Sequence, residues 1–393
     1  MALVKGISAR VQRIDTEAPL NITNSAQRLG KTVVTAVHAA SVMLDKAATT
    51  AKACRLIEQA ASAGSRFVVF PESFLPGFPL WNALVRPIDG HAMFRRFAEN
   101  SVRIDGAELR EIADAAARHR IIVSLGISEV SAHSEGCLWN SNVLISERGE
   151  LLNHHRKLVP TFYEKLSWSA GDGAGLQVVA TNIGRIGSLI CGENNNPLSR
   201  YTLMAQGEQI HTANYPPVWP FRNPLGAARY DLSDAIRVRA AAHSFEAKTF
   251  TIVSAGFLDE ASLAVLADGN AESEEILKAC PRSCSMIVGP DGSLRSELRS
   301  EAEGMVHAEI DVSEVLEHKQ HHDMAGYYNR MDIYALHVQR ARPRPAYFSD
   351  DLSLSEESVF GNSGDQGVTQ TSGNSNEANA TSQNGWRRGG RLP

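Results

Sequence analysis

The sequence predicts an α/β fold, and three observations carry that expectation. Short apolar runs rich in β-branched residues alternate with segments of helical period. Gly64, Pro71, Gly149 and Pro197 punctuate the changes between them. Hydrophobic residues make up 43% of the 393 residues, enough to bury a sizeable core and too few for a fibrous chain.

Taken in order, residues 1–30 lack sustained periodicity and hold the turn formers Pro19, Asn21, Asn24 and Gly30, so an N-terminal arm is expected. Order begins at Lys31. Val33, Val34, Ala36 and Val37 form a buried strand, and Asp45 is an N-cap for a helix with Ala47, Ala51, Cys54, Ile57 and Ala61 at helical spacing. Gly64 stops that helix, and Phe67-Val68-Val69-Phe70 forms the next strand, ended by Pro71. Together these make a βαβ unit with parallel strands covered by helices. Residues 107–119 read as helix and 121–127 as strand. Val143–Ile145 and Leu151-Leu152 flank the turn-like Glu147-Arg148-Gly149, a hairpin signal. Ile186–Ile190 is a strand running into Cys191, and Pro197 opens a helix from its N1 position. Asp231 to Ala247 is alanine-rich and helical, and Thr249–Val253, Ser285–Val288 and Met305–Ile310 complete the strands. From about Asp351 the chain turns to Ser, Asn, Gly, Gln and Thr with almost no large apolar residue. Such a segment buries too little surface to offset its chain entropy, so a disordered tail is expected over 346–393 and one ordered domain over 31–345.

Bulk properties exclude several classes. A net charge of −5 argues against a nucleic-acid binder. No apolar run approaches 18 residues and the first thirty lack an apolar targeting core, so neither a membrane span nor a leader is expected. Five scattered cysteines make no disulfide framework, and a reducing, cytoplasmic setting is the expected home. There is no internal repeat and no phosphate-binding glycine motif.

Three segments place a reactive group directly after an apolar strand, where sites assemble in α/β sheets. They are Phe70-Pro71-Glu72, His155-Arg156-Lys157-Leu158 leading to Glu164, and Ile190-Cys191-Gly192-Glu193-Asn194. Singly, each has an ordinary reading: a small buried thiol, a solvated turn carboxylate, a surface basic run. Jointly they are coherent chemistry. A thiol needs a base or a cation beside it to become a nucleophilic thiolate. A carboxylate in a dry cleft has a raised pKa and accepts that proton. A lysine stabilises the charge that develops as sulfur adds to carbon. Cys, Glu and Lys therefore suit addition–elimination at a carbon bonded to nitrogen. No imidazole stands out as a papain-type partner among the thirteen histidines.

Val68-Val69-Phe70-Pro71-Glu72, His155-Arg156-Lys157-Leu158 and Gly187-x-x-Ile190-Cys191-x-Glu193-Asn194 resemble, in order, the three signature blocks of the nitrilase superfamily of carbon-nitrogen hydrolases. The resemblance runs from about Lys31 to Met331, through Gly289-Pro290-Asp291-Gly292 and Asp323-x-Ala325-Gly326-x-Tyr328. It implies a four-layer α-β-β-α sandwich that pairs with a second copy through its helices, with dimers extending into spirals. It assigns Cys191 as nucleophile, Glu72 as general base and acid, Lys157 as charge stabiliser and Glu164 as the group positioning water or substrate. No metal and no organic cofactor is implied.

Trp168-Ser169-Ala-Gly171-Asp172-Gly173, Asn196-Pro197-Leu198 and Ala205-Gln-Gly-Glu208-Gln-Ile-His211 resemble the nitrilase branch, as does the long tail. The implied substrate is a small organic nitrile, converted to the acid and ammonia through a thioimidate and a thioester, with some amide by-product. Nitrilases commonly carry Trp after the cysteine; here Gly192 enlarges or loosens the pocket and puts the substrate range in question. Trp168, Tyr215 and Trp219 are expected either in the substrate cleft with Gly192 or in core packing.

Two other readings stand beside this one. An amidase or N-carbamoyl hydrolase would use the same four residues on a carbonyl. A catalytically silent scaffold would use only the fold, and the intact Cys191, Glu72, Lys157 and Glu164 argue against it. His318-Lys-Gln-His321-His322-Asp323 matches no tetrahedral zinc spacing and reads as a solvated segment. Cys54, Cys137, Cys280 and Cys284 read as structural thiols.

Overall fold

The computed structural model describes residues 30–220, 230–298 and 302–346. Apart from Gly30 and Ala346, the expected arm and tail lie outside the described residues.

The apolar run after Lys31 forms β1 (Thr32–His38). Asp45, extended and accepting from the amide of Ala48, caps α1 (Lys46–Ser62). Gly64 at φ +84° then turns the chain into β2 (Ser65–Val69). After α2 (His91–Asn100) and α3 (Ala107–His119) come β3 (Ile122–Val130), β4 (Leu138–Ile145) and β5 (Leu151–Arg156). The second half contributes β6 (Val179–Thr181), β7 (Gly184–Ile190), α4 (Pro197–Met204), β8 (Ile210–Tyr215) and α5 (Leu232–Ala247). It ends with β9 (Phe250–Ala255), α6 (Glu260–Ala267), α7 (Ala271–Ala279), β10 (Ser285–Val288), β11 (Leu294–Leu298), β12 (Gly304–Ile310) and α8 (Glu314–His321).

The strands form two six-stranded sheets, in the orders β12-β1-β2-β3-β4-β5 and β11-β10-β9-β8-β7-β6. Each has three parallel strands at its centre, β1-β2-β3 and β7-β8-β9, with antiparallel partners outside. The side-chain period of two divides each strand between layers. On β2 and its extension, Val68 and Phe70 pack with Ile57 of α1 and Ile112 of α3, whereas Phe67 and Val69 pack with Ile210, Ile252 and Ile287 of the second sheet. On β9, Ile252 faces the first sheet and Val253 packs with Leu232 and Ile236 of α5. The order is helix, sheet, sheet, helix, as the resemblance implies.

Three differences from the sequence expectation are instructive. In α1 the buried face is Thr49, Thr50, Ala53, Ile57 and Ala60, so only Ile57 is shared with the expected stripe, and Ala47 and Ala51 are exposed. β3 continues three residues past 127, and Ser128 and Glu129 in that extension are buried with hydrogen-bond partners of their own. β8 and the elements α2, α6, α7, α8, β6 and β11 have no counterpart in the apolar pattern. The compact unit ends at Arg342; beyond it only Pro343–Ala346 are described. No helix among the described residues is long and apolar enough to cross a membrane.

Candidate active site

β2 and β7 are central parallel strands of different sheets, and the chain leaves both at the same end of the sandwich. Glu72 follows β2 and Cys191 follows β7, while Lys157 follows β5 at the edge of the first sheet. Glu164 lies on a single 3-10 turn, Phe162–Leu166, just beyond Lys157.

Lys157, fully buried, is the hub. Its Nζ donates to Oε1 of Glu72 at 2.7 Å and to Oε2 of Glu164 at 2.6 Å. Asn140 Nδ2 donates to the same Glu72 oxygen at 2.7 Å, and the amide of Thr161 donates to Glu164 Oε2 at 2.9 Å. Glu72 Oε2 and Glu164 Oε1 are buried and without a hydrogen-bond partner. Cys191 Sγ lies with an oxygen of each carboxylate, the three atoms all within 4.8 Å of one another. Four expected groups thus converge on one place, each carboxylate keeping one oxygen free.

The backbone around them is held under constraint. Ser73, Phe162 and Cys191 have φ of +47°, +46° and +50°, a left-handed conformation that L-residues other than Asn and Asp adopt rarely. One such residue follows Glu72, one precedes Glu164 by two, and the third is the thiol itself. Gly126 on β3 is needed for close approach: a Cβ there would stand 2.2 Å from the Pro71 carbonyl oxygen and 2.9 Å from Glu72 Cα. Glu193 staples two loops, accepting from the amides of Ile190 at 2.8 Å and Leu158 at 2.6 Å while pairing with His155 Nε2 at 2.8 Å.

Electrostatics fit proton transfer. Burial raises the Glu72 carboxyl to about 7, with the Glu164 charge adding to the rise and the Lys157 ammonium opposing it. Burial also pushes the Cys191 thiol well up, as does the Glu72 charge, while Lys157 pulls it down. Burial alone would lower Lys157, but the Glu164 and Glu72 carboxylates outweigh it and hold the ammonium well above its ordinary value. The resting site therefore contains a thiol, a carboxyl poised near neutrality and a permanent cation. That set can move a proton from sulfur to Glu72 and stabilise negative charge on an atom added beside Lys157.

The side chains expected in the substrate cleft or in core packing are placed as follows. Trp168 occupies the core: its indole N–H donates to Ser128 Oγ at 2.9 Å, and Phe78 and Phe97 meet its ring edge-on at 5.4 and 5.8 Å. Tyr215 is fully buried, packing with Ile190, Cys191 and Ile236. Trp219 stacks on Tyr163 at 4.6 Å, and Tyr163 holds a buried hydroxyl with no hydrogen-bond partner. Beside Gly192 the space is not open on every side, since a Cβ there would meet Thr161 Oγ1 at 2.9 Å. Asn140, Tyr163 and Gly126 escape the sequence reading. Asn140 alone leaves a signal, since it opens a polar run, Asn140-Ser141-Asn142, inside the strand β4.

Two clusters of metal-ligating type occur among the described residues, Glu72-Glu164-Cys191 and Glu208-His211-His243. In the first, the Lys157 ammonium already sits between the carboxylates. In the second, Glu208 receives both imidazoles at 2.8 Å, an arrangement satisfied by protons.

Comparison with known proteins identifies the family. Residues 33–320 match the family model described as carbon-nitrogen hydrolase. The chain is 34% identical over 329 residues to a nitrilase of Pseudomonas syringae pv. syringae, covering 83% of this chain and 95% of that protein. It is 34% identical over 309 residues to an arylacetonitrilase of Aspergillus kawachii, covering 78% of this chain and 91% of the other. Among solved structures, a carbon-nitrogen hydrolase of Helicobacter pylori superposes with TM-score 0.59 at 17% identity, over 74% of this chain and 92% of that one, which shows the shared fold. The chain belongs to the carbon-nitrogen hydrolase family, in its nitrilase branch.

Proposed function

We propose that this protein hydrolyses a small organic nitrile to the carboxylic acid and ammonia, with Cys191 as nucleophile. The observation that carries the reading is the Glu72–Lys157–Glu164 trio, two carboxylates on one buried ammonium, closed around the thiol. Relatives named nitrilase and arylacetonitrilase point to the nitrile rather than the amide as substrate.

Glu72 takes the thiol proton as Sγ adds to the nitrile carbon, and returns it to nitrogen, giving a thioimidate. Lys157, 2.7 Å from Glu72, stabilises the charge that develops on nitrogen. Water then adds to the same carbon, giving up a proton to Glu72 while the free oxygen of Glu164 orients it. The proton on Glu72 and that of the new hydroxyl pass to nitrogen, and cleavage of the carbon–nitrogen bond releases ammonia and leaves a thioester, which a second water hydrolyses to the acid and free thiol. Cleavage of the carbon–sulfur bond first would release the amide instead. Every step uses groups of this chain.

The same reading carries three further proposals. The hydrolase domain spans 31–345, between an arm and a tail. Copies assemble into dimers and longer spirals, to which the exposed Leu198 of α4 and Val238 and Phe245 of α5 contribute apolar surface. The working compartment is the cytoplasm, in keeping with five cysteines that form no disulfide among the described residues. The functional proposal is tested by offering a nitrile panel and the matching amides, detecting ammonia and resolving acid from amide. Ammonia and acid from nitriles are expected; ammonia from the amides alone would overturn it.

A further inference from the structure

Behind the Cys191 loop lies a buried chain of polar groups that the reaction scheme does not use. Asn194 Nδ2 donates to the carbonyl of Leu189 at 3.2 Å and to that of Cys191 at 3.0 Å. It therefore brackets the one residue of this turn held at φ +50°. Asn194 Oδ1 faces His211 Nε2 at 2.8 Å, and His211 Nδ1 faces Glu208 Oε1 at 2.8 Å. His243 Nε2 meets the other Glu208 oxygen at 2.8 Å. Asn194, Glu208, His211 and His243 are all buried.

Hydrogen-bond polarity fixes the protons in this chain. The Asn194 amide nitrogen is committed to two carbonyls, so its oxygen faces His211, and His211 Nε2 must carry a proton. Burial would raise the Glu208 carboxyl, but the two imidazoles outweigh that and hold it at about 2, so it is a carboxylate. His211 thus bridges Glu208 and Asn194 through its two ring nitrogens, each at 2.8 Å. His243 donates from Nε2 only; its Nδ1 has no hydrogen-bond partner, and burial beside His211 keeps it neutral, near 4. Gly187 on β7 makes room for the Glu208 carboxylate, since a Cβ there would stand 2.1 Å from Glu208 Oε1.

We propose that Glu208 and His211 are positioning residues for Cys191: a buried, hydrogen-bonded carboxylate–imidazole pair that orients the Asn194 carboxamide and so fixes the left-handed turn presenting Sγ to Glu72 and Lys157. The proposal rests on Cys191 being the nucleophile. Neither residue touches substrate, and both act through Asn194. Breaking that pair would let the carboxamide rotate, releasing the Cys191 carbonyl and relaxing the turn.

The test compares full-length wild type with Asn194→Ala, Glu208→Gln and the double variant. The readouts are the rate of iodoacetamide labelling of the Cys191 peptide, resolved by mass spectrometry, and kcat and KM on a nitrile. Each single variant should slow labelling and lower kcat about tenfold, a size typical of coupling between neighbours, with KM unchanged. The double variant should be no slower than Asn194→Ala, because Glu208 acts only through Asn194. Wild-type labelling in Glu208→Gln, or effects that multiply in the double variant, would overturn the proposal. Should Glu208→Gln not fold, Asn194→Asp decides: its carboxylate cannot donate to the two carbonyls, so labelling should slow, and a wild-type rate would refute the idea. Failure of the nitrilase reading would look different, with no ammonia from any nitrile while the labelling pattern persisted.

Discussion

Replacing Glu72 by Gln removes one titration from the buried site and leaves the shape intact. The Gln oxygen still accepts from Asn140 and Lys157, which reach Glu72 Oε1 at 2.7 Å in the wild type. In the wild type the folded carboxyl titrates at about 7, against 4.5 for an ordinary glutamate. Between those values the unfolded chain has released this proton and the folded chain has not, so folded-state stability falls as pH rises. A rise of that size is worth about 3 kcal/mol, fully expressed once pH passes the folded value. Below pH 4.5 both proteins are neutral at this position and their stabilities should be close. By pH 8 the variant should have gained about 3 kcal/mol on the wild type. Urea unfolding of both proteins at matched concentration, from pH 4.5 to 8.5, measures the difference while titrations elsewhere cancel. The same variant should lose about 100-fold or more in kcat, the usual worth of a positioned general base. A stability difference that stays constant across the range would refute the reasoning, because Glu72 would then ionise as an ordinary surface carboxylate does.

Lys157→Met leaves two buried carboxylates facing each other without their cation, so it should cost about 3–5 kcal/mol at pH 8 and less at pH 5, where Glu72 is protonated; unfolding at the two pH values checks it. In the wild type, kcat/KM on a non-ionising nitrile should rise with pH through about 7 as Glu72 gives up its proton, and a profile flat from pH 5 to 8 would count against Glu72 as the base. Gly126→Ala drives a methyl group into the Pro71 carbonyl and should cost about 1–3 kcal/mol while displacing Glu72, so kcat falls with stability.

Where sequence and structure part company has a physical pattern. The apolar strands β1, β2, β7 and β10 are legible because their β-branched runs have no other stable use, and α3 is legible because Leu109, Ile112 and Ala116 keep strict helical spacing. α1 misleads because alanine and threonine present small, similar faces all round, and contact with α3 chooses among them. β8, Ile-His-Thr-Ala-Asn-Tyr, is wholly buried yet carries no apolar pattern. Its His211 and Asn214 are buried as members of networks, His211 with Glu208 and Asn194, Asn214 with Asn142. A hydrophobicity pattern cannot register residues buried by pairing. The reactive residues were legible for a complementary reason: a Glu, a Lys and a Cys each directly after a strand are out of place unless they meet. Of their supports, Asn140 and Gly126 come from other segments, and Glu193, two residues after Cys191, reaches the distant Leu158 and His155; only the folded chain shows these contacts.

The central claim is that Cys191, activated by Glu72 beside Lys157, forms a covalent adduct on the path to ammonia. The most direct measurement is acid-quenched mass spectrometry of the wild type during nitrile turnover, with ammonia release followed in parallel for Cys191→Ala. The account predicts a substrate-derived adduct on the Cys191 peptide alone and no ammonia from the variant. An adduct on another residue, or ammonia released by Cys191→Ala at the wild-type rate, would contradict it.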